Sequence, residues 1–266
     1  MRVSDVKEEN INKAEKMINE AADRGADFIV LPEMFNCPYD SSYFRKFAED
    51  KNGETVKALS QIAKKRNIYI AGGSIPEKDQ GGNIYNTCFV FDKGGNIIAK
   101  HRKVHLFNID MKDRIKFAES DVFKAGDKIT LFDTPYGKMG VAICYDIRFP
   151  EFIRIMALKG AKFIIVPAAF NMATGPAHFE VLFRSRAIDN QIYMMGCSPA
   201  RDTLTSYISY GNSMIVDPWG NVVSKLGYEE NILVKKIDVD MIDEVRKSLP
   251  LLKNRREDLY SLKLND

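Results

Sequence analysis

The sequence of 266 residues is poor in the residue types that mark several common classes of protein. It holds four cysteines, and their wide spacing without a CxxC pair argues against a zinc cage or a small disulfide scaffold. No apolar run approaches the length of a membrane span, and the first residues have none of the pattern of a signal peptide, so we expect neither a membrane span nor a secretory signal. Unpaired thiols are typical of a reducing compartment, so we expect a cytoplasmic protein.

A dominant charge is also lacking. The chain has 39 basic and 36 acidic residues, a formal net charge of +3, and no run of five or six charges of one sign. We therefore expect neither nucleic acid nor a membrane among its partners. Hydrophobic residues make up 45% of the chain, which is enough for a large core in one α/β domain or in two smaller ones.

The hydrophobic pattern alternates between helical and extended periods along the chain. It predicts helices over residues 5–24, 54–66, 150–159 and 176–190, and strands over residues 27–31, 68–73, 162–167, 191–198 and 231–238. In the first helix, Asp5 is the expected N-terminal cap, and Gly25 is expected at the position just past the end.

Three further strand pairs are predicted around turns at residues 93–96, 135–137 and 217–220. Because these hairpins interrupt the alternation of strand and helix, the pattern favours two mixed sheets with helices outside over one parallel sheet. From about residue 241 the sequence becomes charged and irregular, which indicates a tail or a docking arm.

Charged or nucleophilic residues stand at the ends of three predicted strands. Glu33 follows FIVLP, Lys103 follows IIAKHR and Cys144 follows KMGVAI. Such strand ends are where α/β folds place their sites. Together the three could perform nucleophilic catalysis on an amide or nitrile carbon. Glu33 would accept the thiol proton, and Lys103 with the backbone N–H of Tyr145 would stabilise the oxyanion.

Each of these residues also has an ordinary structural interpretation. An isolated cysteine after a strand is more often part of the core, and Lys103 could belong to a basic surface. His178 offers a rival base for a Cys–His hydrolase, while His101 and His105 bracket Lys103 and could support it. Spacing alone leaves these alternatives open.

The motifs VLPEMF, HRKVHLF and GVAICYDIRFPE, in this order, resemble those of the nitrilase superfamily of carbon–nitrogen hydrolases. The segments KVHLFNID, FAESDVFKAGD, AAFNMATGPAHFEVLFRSRAIDNQ, SPARD and VDPWGNVVSKLG are similar to the ω-amidase branch, as is the tail KNRREDLY. The resemblance extends over essentially the whole chain. It implies a four-layer αββα sandwich, one hydrolase domain over residues 1–266 with an arm over 241–266, and a homodimer or higher homo-oligomer.

The resemblance also implies roles for individual residues. Cys144 would be the nucleophile, Glu33 the general base and Lys103 the group that stabilises the tetrahedral intermediate. Glu119, in KFAES, corresponds to a second glutamate that positions the lysine and the substrate. The implied cycle passes through a thioester and uses no metal and no cofactor.

The substrates of the ω-amidase branch are α-keto acid amides such as α-ketoglutaramate and α-ketosuccinamate, which carry a carboxylate. Arg148, four residues after Cys144, offers a planar fork suited to that carboxylate. The resemblance places Phe170 and Thr174 beside the substrate as well, and Tyr39 in the pocket wall. Alternatives are an amidase for an N-carbamoyl compound or for deaminated glutathione, and a non-catalytic interaction scaffold.

The N-terminus departs from the family pattern. Family members open with a strand that ends near a glutamine before the first helix, whereas this chain begins with MRVSDVKEEN, where that strand would already be finishing. If the protein begins at this residue, we expect one sheet to lack a strand; the alternative is that the N-terminus is truncated.

Overall fold

The computed structural model describes residues 1–111 and 115–265, so residues 112–114 and Asp266, which belong to the predicted domain and arm, lie outside the described residues. The helices are α1 (Lys7–Asp23), α2 (Ser41–Phe47), α3 (Glu54–Arg66), α4 (Pro150–Leu158), α5 (Gly175–Asn190) and α6 (Met241–Ser248). The strands are β1 (Phe28–Val30), β2 (Tyr69–Ala71), β3 (Ile75–Lys78), β4 (Ile84–Phe91), β5 (Ile97–Arg102), β6 (Asn108–Met111), β7 (Ile115–Ala118), β8 (Thr130–Thr134), β9 (Gly137–Val141), β10 (Phe163–Pro167), β11 (Tyr193–Cys197), β12 (Met214–Val216) and β13 (Val222–Lys225). Two short 3₁₀ helices span Glu119–Asp121 and Cys144–Arg148.

The strands form two larger mixed sheets, as predicted. The first sheet has the order β1-β2-β4-β3, with β5 paired to β4, and only β1 and β2 run parallel. The second has the order β13-β12-β11-β10-β9-β8, with a parallel centre of β9, β10 and β11. Strands β6 and β7 form a separate hairpin.

The two sheets pack face to face, with helices on their outer sides. Val90 of the first sheet and Val141 of the second share one buried cluster, which also takes in Phe183 of α5. Ile18 of α1 shares a second cluster with Ile70 of β2. The resulting order of layers is helix, sheet, sheet, helix, which is the αββα sandwich that was expected.

Local sequence explains where the helices lie. Helix α1 buries Ala14 and Ile18 on one face, and Gly25 follows it with φ +86, as predicted for the end of the helix. The predicted cap is wrong, because Val6 occupies the N-cap position and the helix has no side-chain cap. Helix α3 has the predicted bounds, 54–66. None of the helices in the described part of the chain has the length and apolar character needed to cross a membrane.

Several elements differ from the prediction. Residues 231–238 form no strand, because Ile232 and Val234 pack onto the first sheet's outer cluster while Ile237 and Val239 pack onto the other core, without a ladder between. Within the predicted irregular tail, residues 241–248 form α6, which is anchored by two buried apolar side chains. Elements α2, β3 and the β6–β7 hairpin were not predicted. Residues 1–6, before α1, form no strand.

Candidate active site

The fold brings Glu33, Lys103, Glu119 and Cys144 into one buried cluster. Glu33 lies three residues beyond β1, Lys103 directly after β5, and Cys144 three residues beyond β9. Glu119 begins the 3₁₀ helix that follows β7. The side chains of Glu33 and Lys103 are completely buried, and those of Glu119 and Cys144 are nearly so. Strand ends of both sheets therefore meet in this one place.

The Lys103 ammonium lies between two carboxylates. Its Nζ is 2.9 Å from Oε1 of Glu33 and 2.9 Å from Oε2 of Glu119. Burial by itself lowers the pKa of Lys103, but the negative charges of Glu119 and Glu33 outweigh burial and hold that pKa above its ordinary value. The lysine therefore stays positively charged, and each carboxylate has the cation that a buried charge needs.

Glu33 is fixed by three further groups. Its Oε2 accepts a hydrogen bond of 2.7 Å from the backbone N–H of Ala169, two residues beyond β10. Its Oε1 accepts one of 2.9 Å from Nδ2 of Asn86, and the Tyr39 hydroxyl is 3.5 Å from the same oxygen. The backbone helps as well, because Met34 has φ +51, a conformation that bulky residues rarely adopt.

Glu119 is bound to the chain segment that carries Lys103. Its Oε2 accepts from the Phe107 backbone N–H at 2.7 Å, and its Oε1 accepts from the Tyr39 hydroxyl at 2.6 Å. Asn86 Nδ2 also reaches Oε1, at 3.3 Å. Burial and the charges of Glu119 and Glu33 raise the pKa of Tyr39, so its hydroxyl remains a donor. Glu119 thereby fixes the position of the segment that carries Lys103 relative to Glu33.

Cys144 opens a 3₁₀ helix with an unusual backbone conformation, φ +45. Burial raises the pKa of its thiol, the carboxylate of Glu33 raises it further, and Lys103 opposes them. In the absence of substrate the side chain is therefore a thiol. Residues in such sparsely populated conformations cluster at functional sites, where the surrounding structure over-determines them.

Arg148 stands at the other end of the same 3₁₀ helix. Its guanidinium carbon lies 4.7 Å from the ring centroid of Phe170 and 5.7 Å from that of Tyr145. Its Nη1 is 3.1 Å from Nδ1 of His178. Thr174 occupies the N-cap position of α5, with its hydroxyl 3.1 Å from Oδ1 of Asn171. The structure thus groups Arg148 with Phe170 and Tyr145, and it pairs His178 with Arg148.

Sequence reasoning missed two residues of this site. Asn86 bridges both carboxylates, and its signal was a polar residue inside the otherwise buried strand β4. Tyr207 stacks on Tyr39 with ring centroids 4.4 Å apart and donates its hydroxyl to the Ala169 carbonyl at 2.5 Å. Nothing in the local sequence TSYISY marks Tyr207, because it reaches the site through a long loop between β11 and β12.

Two cavities differ in their relation to this cluster. A small cavity of about 50 Å³ lies beside Glu33 and is also lined by Tyr39 and Tyr207. It is large enough for a water molecule. A larger groove, of about 160 Å³, is lined by residues of α1, β1 and β11 and of the segments 198–200, 211–215 and 226–233, and none of the four clustered residues lines it.

Comparisons with known proteins identify the family of this chain. The sequence profile of the carbon–nitrogen hydrolase family matches residues 3–247. The curated relative omega-amidase NIT2-A of Xenopus laevis is 52% identical over 260 residues, which cover 98% of this chain and 94% of that protein. Omega-amidase NIT2 of Homo sapiens is 46% identical over 264 residues, which cover 99% of this chain and 95% of that protein.

A solved structure is similar over nearly the same length. Nit3 of Saccharomyces cerevisiae, described as a member of branch 10 of the nitrilase superfamily, has a TM-score of 0.88 and 44% sequence identity. The match covers 96% of this chain and 93% of that chain. These similarities confirm both the family resemblance and the fold class predicted from the sequence. The chain therefore belongs to the carbon–nitrogen hydrolase family, within the nitrilase superfamily.

Proposed function

We propose that this carbon–nitrogen hydrolase is a cysteine-dependent amidase of the ω-amidase type. It would hydrolyse the terminal amide of a small carboxylate-bearing substrate, an α-keto acid amide such as α-ketoglutaramate or α-ketosuccinamate, to the dicarboxylate and ammonia. The observation that carries this proposal is the buried cluster in which Lys103 is paired with Glu33 and Glu119 beside the Cys144 thiol.

The first half of the cycle forms a thioester. Glu33 accepts the proton of Cys144 as Sγ attacks the amide carbon, and the carbonyl oxygen gains the negative charge. The Lys103 ammonium and the Tyr145 N–H, in the first turn of the 3₁₀ helix, are the donors for that oxygen. The C–N bond then breaks, and Glu33 returns the proton to the departing nitrogen, which leaves as ammonia.

The second half hydrolyses the thioester. Glu33 takes a proton from a water molecule, and the oxygen of that water attacks the thioester carbon through a second oxyanion. The C–S bond breaks, Cys144 regains a proton from Glu33, and the product is released as a carboxylic acid that loses its remaining proton to solvent and becomes the carboxylate. The small cavity beside Glu33, Tyr39 and Tyr207 offers a location for the attacking water. This assignment matches the raised pKa of Cys144, since the proton moves only when an electrophile is present.

The substrate class rests on the surroundings of Arg148. The guanidinium is partly buried, and burial lowers its pKa, although the group stays charged. The same burial strengthens its electrostatic interactions, because the surrounding dielectric constant is lower than that of water. Phe170 supports one face of the guanidinium, and the fork can bind a carboxylate with two parallel hydrogen bonds. Thr174 and Tyr39 complete the proposed pocket wall. Relatives at 46% and 52% identity over nearly the whole chain carry the name omega-amidase.

The proposal is tested with a panel of amides assayed for ammonia release. We expect α-ketoglutaramate to be hydrolysed faster than N-carbamoyl compounds and deaminated glutathione, and Cys144→Ala to be inactive on all of them. Intact-mass analysis should detect an acyl adduct on wild-type Cys144 and none on the variant. Full amide hydrolysis by Cys144→Ala would rule out the mechanism, and a preference for a carbamoyl substrate would rule out the ω-amidase assignment.

We further propose that the chain is one hydrolase domain with an arm over residues 241–266, and that it forms a homodimer or a higher homo-oligomer in the cytoplasm. The resemblance to the nitrilase superfamily supports self-association, and Leu259 of the arm (74% exposed) and Val181 of α5 (61% exposed) are apolar side chains that such a contact could cover. The four cysteines are free thiols, which suits a reducing compartment. Light scattering on the full chain tests the oligomer, because a monomer at micromolar concentration would contradict it.

A further inference from the structure

A second buried cluster connects the chain segments of Lys103 and Cys144. His101 and His105 stand two residues on either side of Lys103, and both rings reach the completely buried carboxylate of Asp146. Oδ1 of Asp146 is 2.7 Å from His105 Nδ1 and accepts from the His105 backbone N–H at 2.8 Å. Oδ2 is 3.2 Å from His101 Nε2.

The same carboxylate closes the turn that presents Cys144. Oδ2 of Asp146 accepts from the Ile143 backbone N–H at 2.9 Å, and the Asp146 N–H donates to the Ile143 carbonyl at 3.0 Å. Cys144, at φ +45, lies between the two residues that make these reciprocal bonds. A rarely populated conformation needs such support from its surroundings.

The histidines are themselves held in place. The His105 ring stacks on Phe149 with centroids 3.7 Å apart, and His101 Nδ1 lies 3.0 Å from the Thr130 hydroxyl. Burial alone raises the pKa of Asp146, but hydrogen bonds from His101 and His105 hold it far below its usual range, so the carboxylate remains ionised. Across the described ranges 1–111 and 115–265, no group of three or more His, Cys, Asp or Glu side chains is arranged so that it could hold a metal ion.

We infer that Asp146 is a positioning residue, which fixes the nucleophile Cys144 relative to Lys103 by binding the backbones of both segments. The inference rests on the proposed function, because it takes its meaning from the roles given there to these two residues. It also gives His105 a role: this residue binds the Asp146 carboxylate through its backbone N–H and its ring, and so links the segment that carries Lys103 to Asp146.

The chemistry of the carboxylate explains why no other side chain serves equally well. Four groups surround its two oxygens: two backbone N–H groups and two imidazole nitrogens. An amide in the same place would present one acceptor oxygen, and its NH₂ group would face at least one backbone donor. Asp146→Asn therefore has nearly the same shape but releases either the Cys144 turn or the Lys103 loop.

The first experiment measures Asp146→Asn in the full-length protein. We expect kcat to fall about 10²-fold with KM unchanged, because a displacement of about 1 Å between reacting groups has an effect of that size. The alkylation rate of Cys144 by iodoacetamide should fall as well, while the number of Cys144 thiols that form an acyl adduct per folded protein stays the same. A wild-type kcat per intact site would overturn the inference.

A pair of variants at His105 separates the hydrogen bond from the ring packing. His105→Phe keeps a ring against Phe149 but removes the donor, whereas His105→Asn places an amide N–H near the position of Nδ1 and removes the ring. We expect kcat to be higher in His105→Asn than in His105→Phe. The reverse order would show that packing alone matters, and this pair decides the question if Asp146→Asn does not fold.

Asp217→Asn is the matched control. Asp217 is another buried aspartate whose carboxylate accepts from two backbone N–H groups and a side chain, but it lies in the turn between β12 and β13. The Asp217→Asn variant should be less stable than the wild type and should have the same kcat. An inactive Cys144→Ala together with a fully active Asp146→Asn would reject only this inference, whereas an active Cys144→Ala would reject the proposed function itself.

Discussion

Nζ of Lys103 lies 2.9 Å from Oε1 of Glu33, and neither side chain is exposed to solvent. With Glu119 included, the cluster holds two carboxylates and one ammonium and carries a net negative charge. Such a site favours the thiol form of Cys144 and the charged form of Lys103, which are the states that the proposed cycle requires before the substrate is attacked. These protonation states fit the proposed general-base mechanism better than a mechanism that begins from a stored thiolate.

Glu119→Gln should move the alkaline limit of activity to lower pH. Of the charges that raise the pKa of Lys103 against the opposing effect of burial, that of Glu119 is the largest, so its removal lowers that pKa. As pH rises, the variant would then lose the ammonium, and with it the oxyanion stabilisation, before the wild type does. The measurement is kcat as a function of pH.

The control for this change is Glu77→Gln. Glu77 is also a buried carboxylate, and it pairs with Lys100 and Arg102 on the strand that leads to Lys103. We expect Glu77→Gln to reduce stability and to leave the alkaline limit unchanged. An unshifted limit in Glu119→Gln would show that Glu119 does not set the charge of Lys103.

Arg148→Lys should raise KM for an α-keto acid amide about 10- to 100-fold, since charged hydrogen bonds contribute roughly 1.5–3 kcal/mol and the planar fork is lost. A simple aliphatic amide, which has no carboxylate, should be hydrolysed equally well by the variant and the wild type. The control is Arg154→Lys, because Arg154 is a partly buried arginine of α4 that points toward the arm. Equal losses on both amides would assign Arg148 a structural role.

Much of the fold was predictable because burial imposes regular patterns. Helix α3 and the strand pair β4–β5 follow from periodicity and from the turn between the strands. Residues 231–238 misled because apolar residues alternate there as in a strand, although the two halves of the segment serve different cores. The alternation of apolar residues indicates which side chains are buried. It does not show whether a neighbouring strand lies where it could form backbone hydrogen bonds.

The site divides in the same way. Glu33, Lys103 and Cys144 stand at strand ends, and their meeting follows from the topology. Asn86 and Tyr207 could not be placed, because their roles depend on the register of β4 and on the path of a long loop. The sequence indicates the groups that we propose for the chemistry, whereas the groups that orient them depend on tertiary packing.

Gly73→Ala should lower both stability and kcat. Gly73 has φ +57, and a Cβ there would lie 2.1 Å from the carbonyl oxygen of Pro32, which immediately precedes Glu33. Relief of that clash requires Pro32 and Glu33 to move, so the distance between Glu33 and Lys103 would change. We expect a loss of at least about 2 kcal/mol in the free energy of unfolding, with the backbone strain alone contributing roughly 1–2 kcal/mol.

Gly25→Ala isolates the clash in this comparison. Gly25 has φ +86, and a Cβ at this position would meet no atom of the described chain within 4 Å. The control variant therefore carries the backbone strain without the collision, and its kcat should equal that of the wild type. If the two variants had the same stability and the same kcat, the contact with Pro32 would have no importance for the site.

The buried thiols should make the protein less stable at alkaline pH. Burial raises the pKa of Cys88 to about 12, whereas an unfolded cysteine titrates near about 8.5. Below the unfolded value both states bind the same proton and the full stability is present. Between the two values the unfolded state releases its proton first, so the free energy of unfolding falls by about 1.4 kcal/mol per pH unit for each such thiol.

Denaturant titrations from pH 8 to pH 11 measure the slope of the free energy of unfolding against pH. Cys88→Ala should make that slope shallower by the contribution of one thiol, even though the variant starts from a lower stability. An unchanged slope would mean that Cys88 does not titrate differently in the folded and unfolded states.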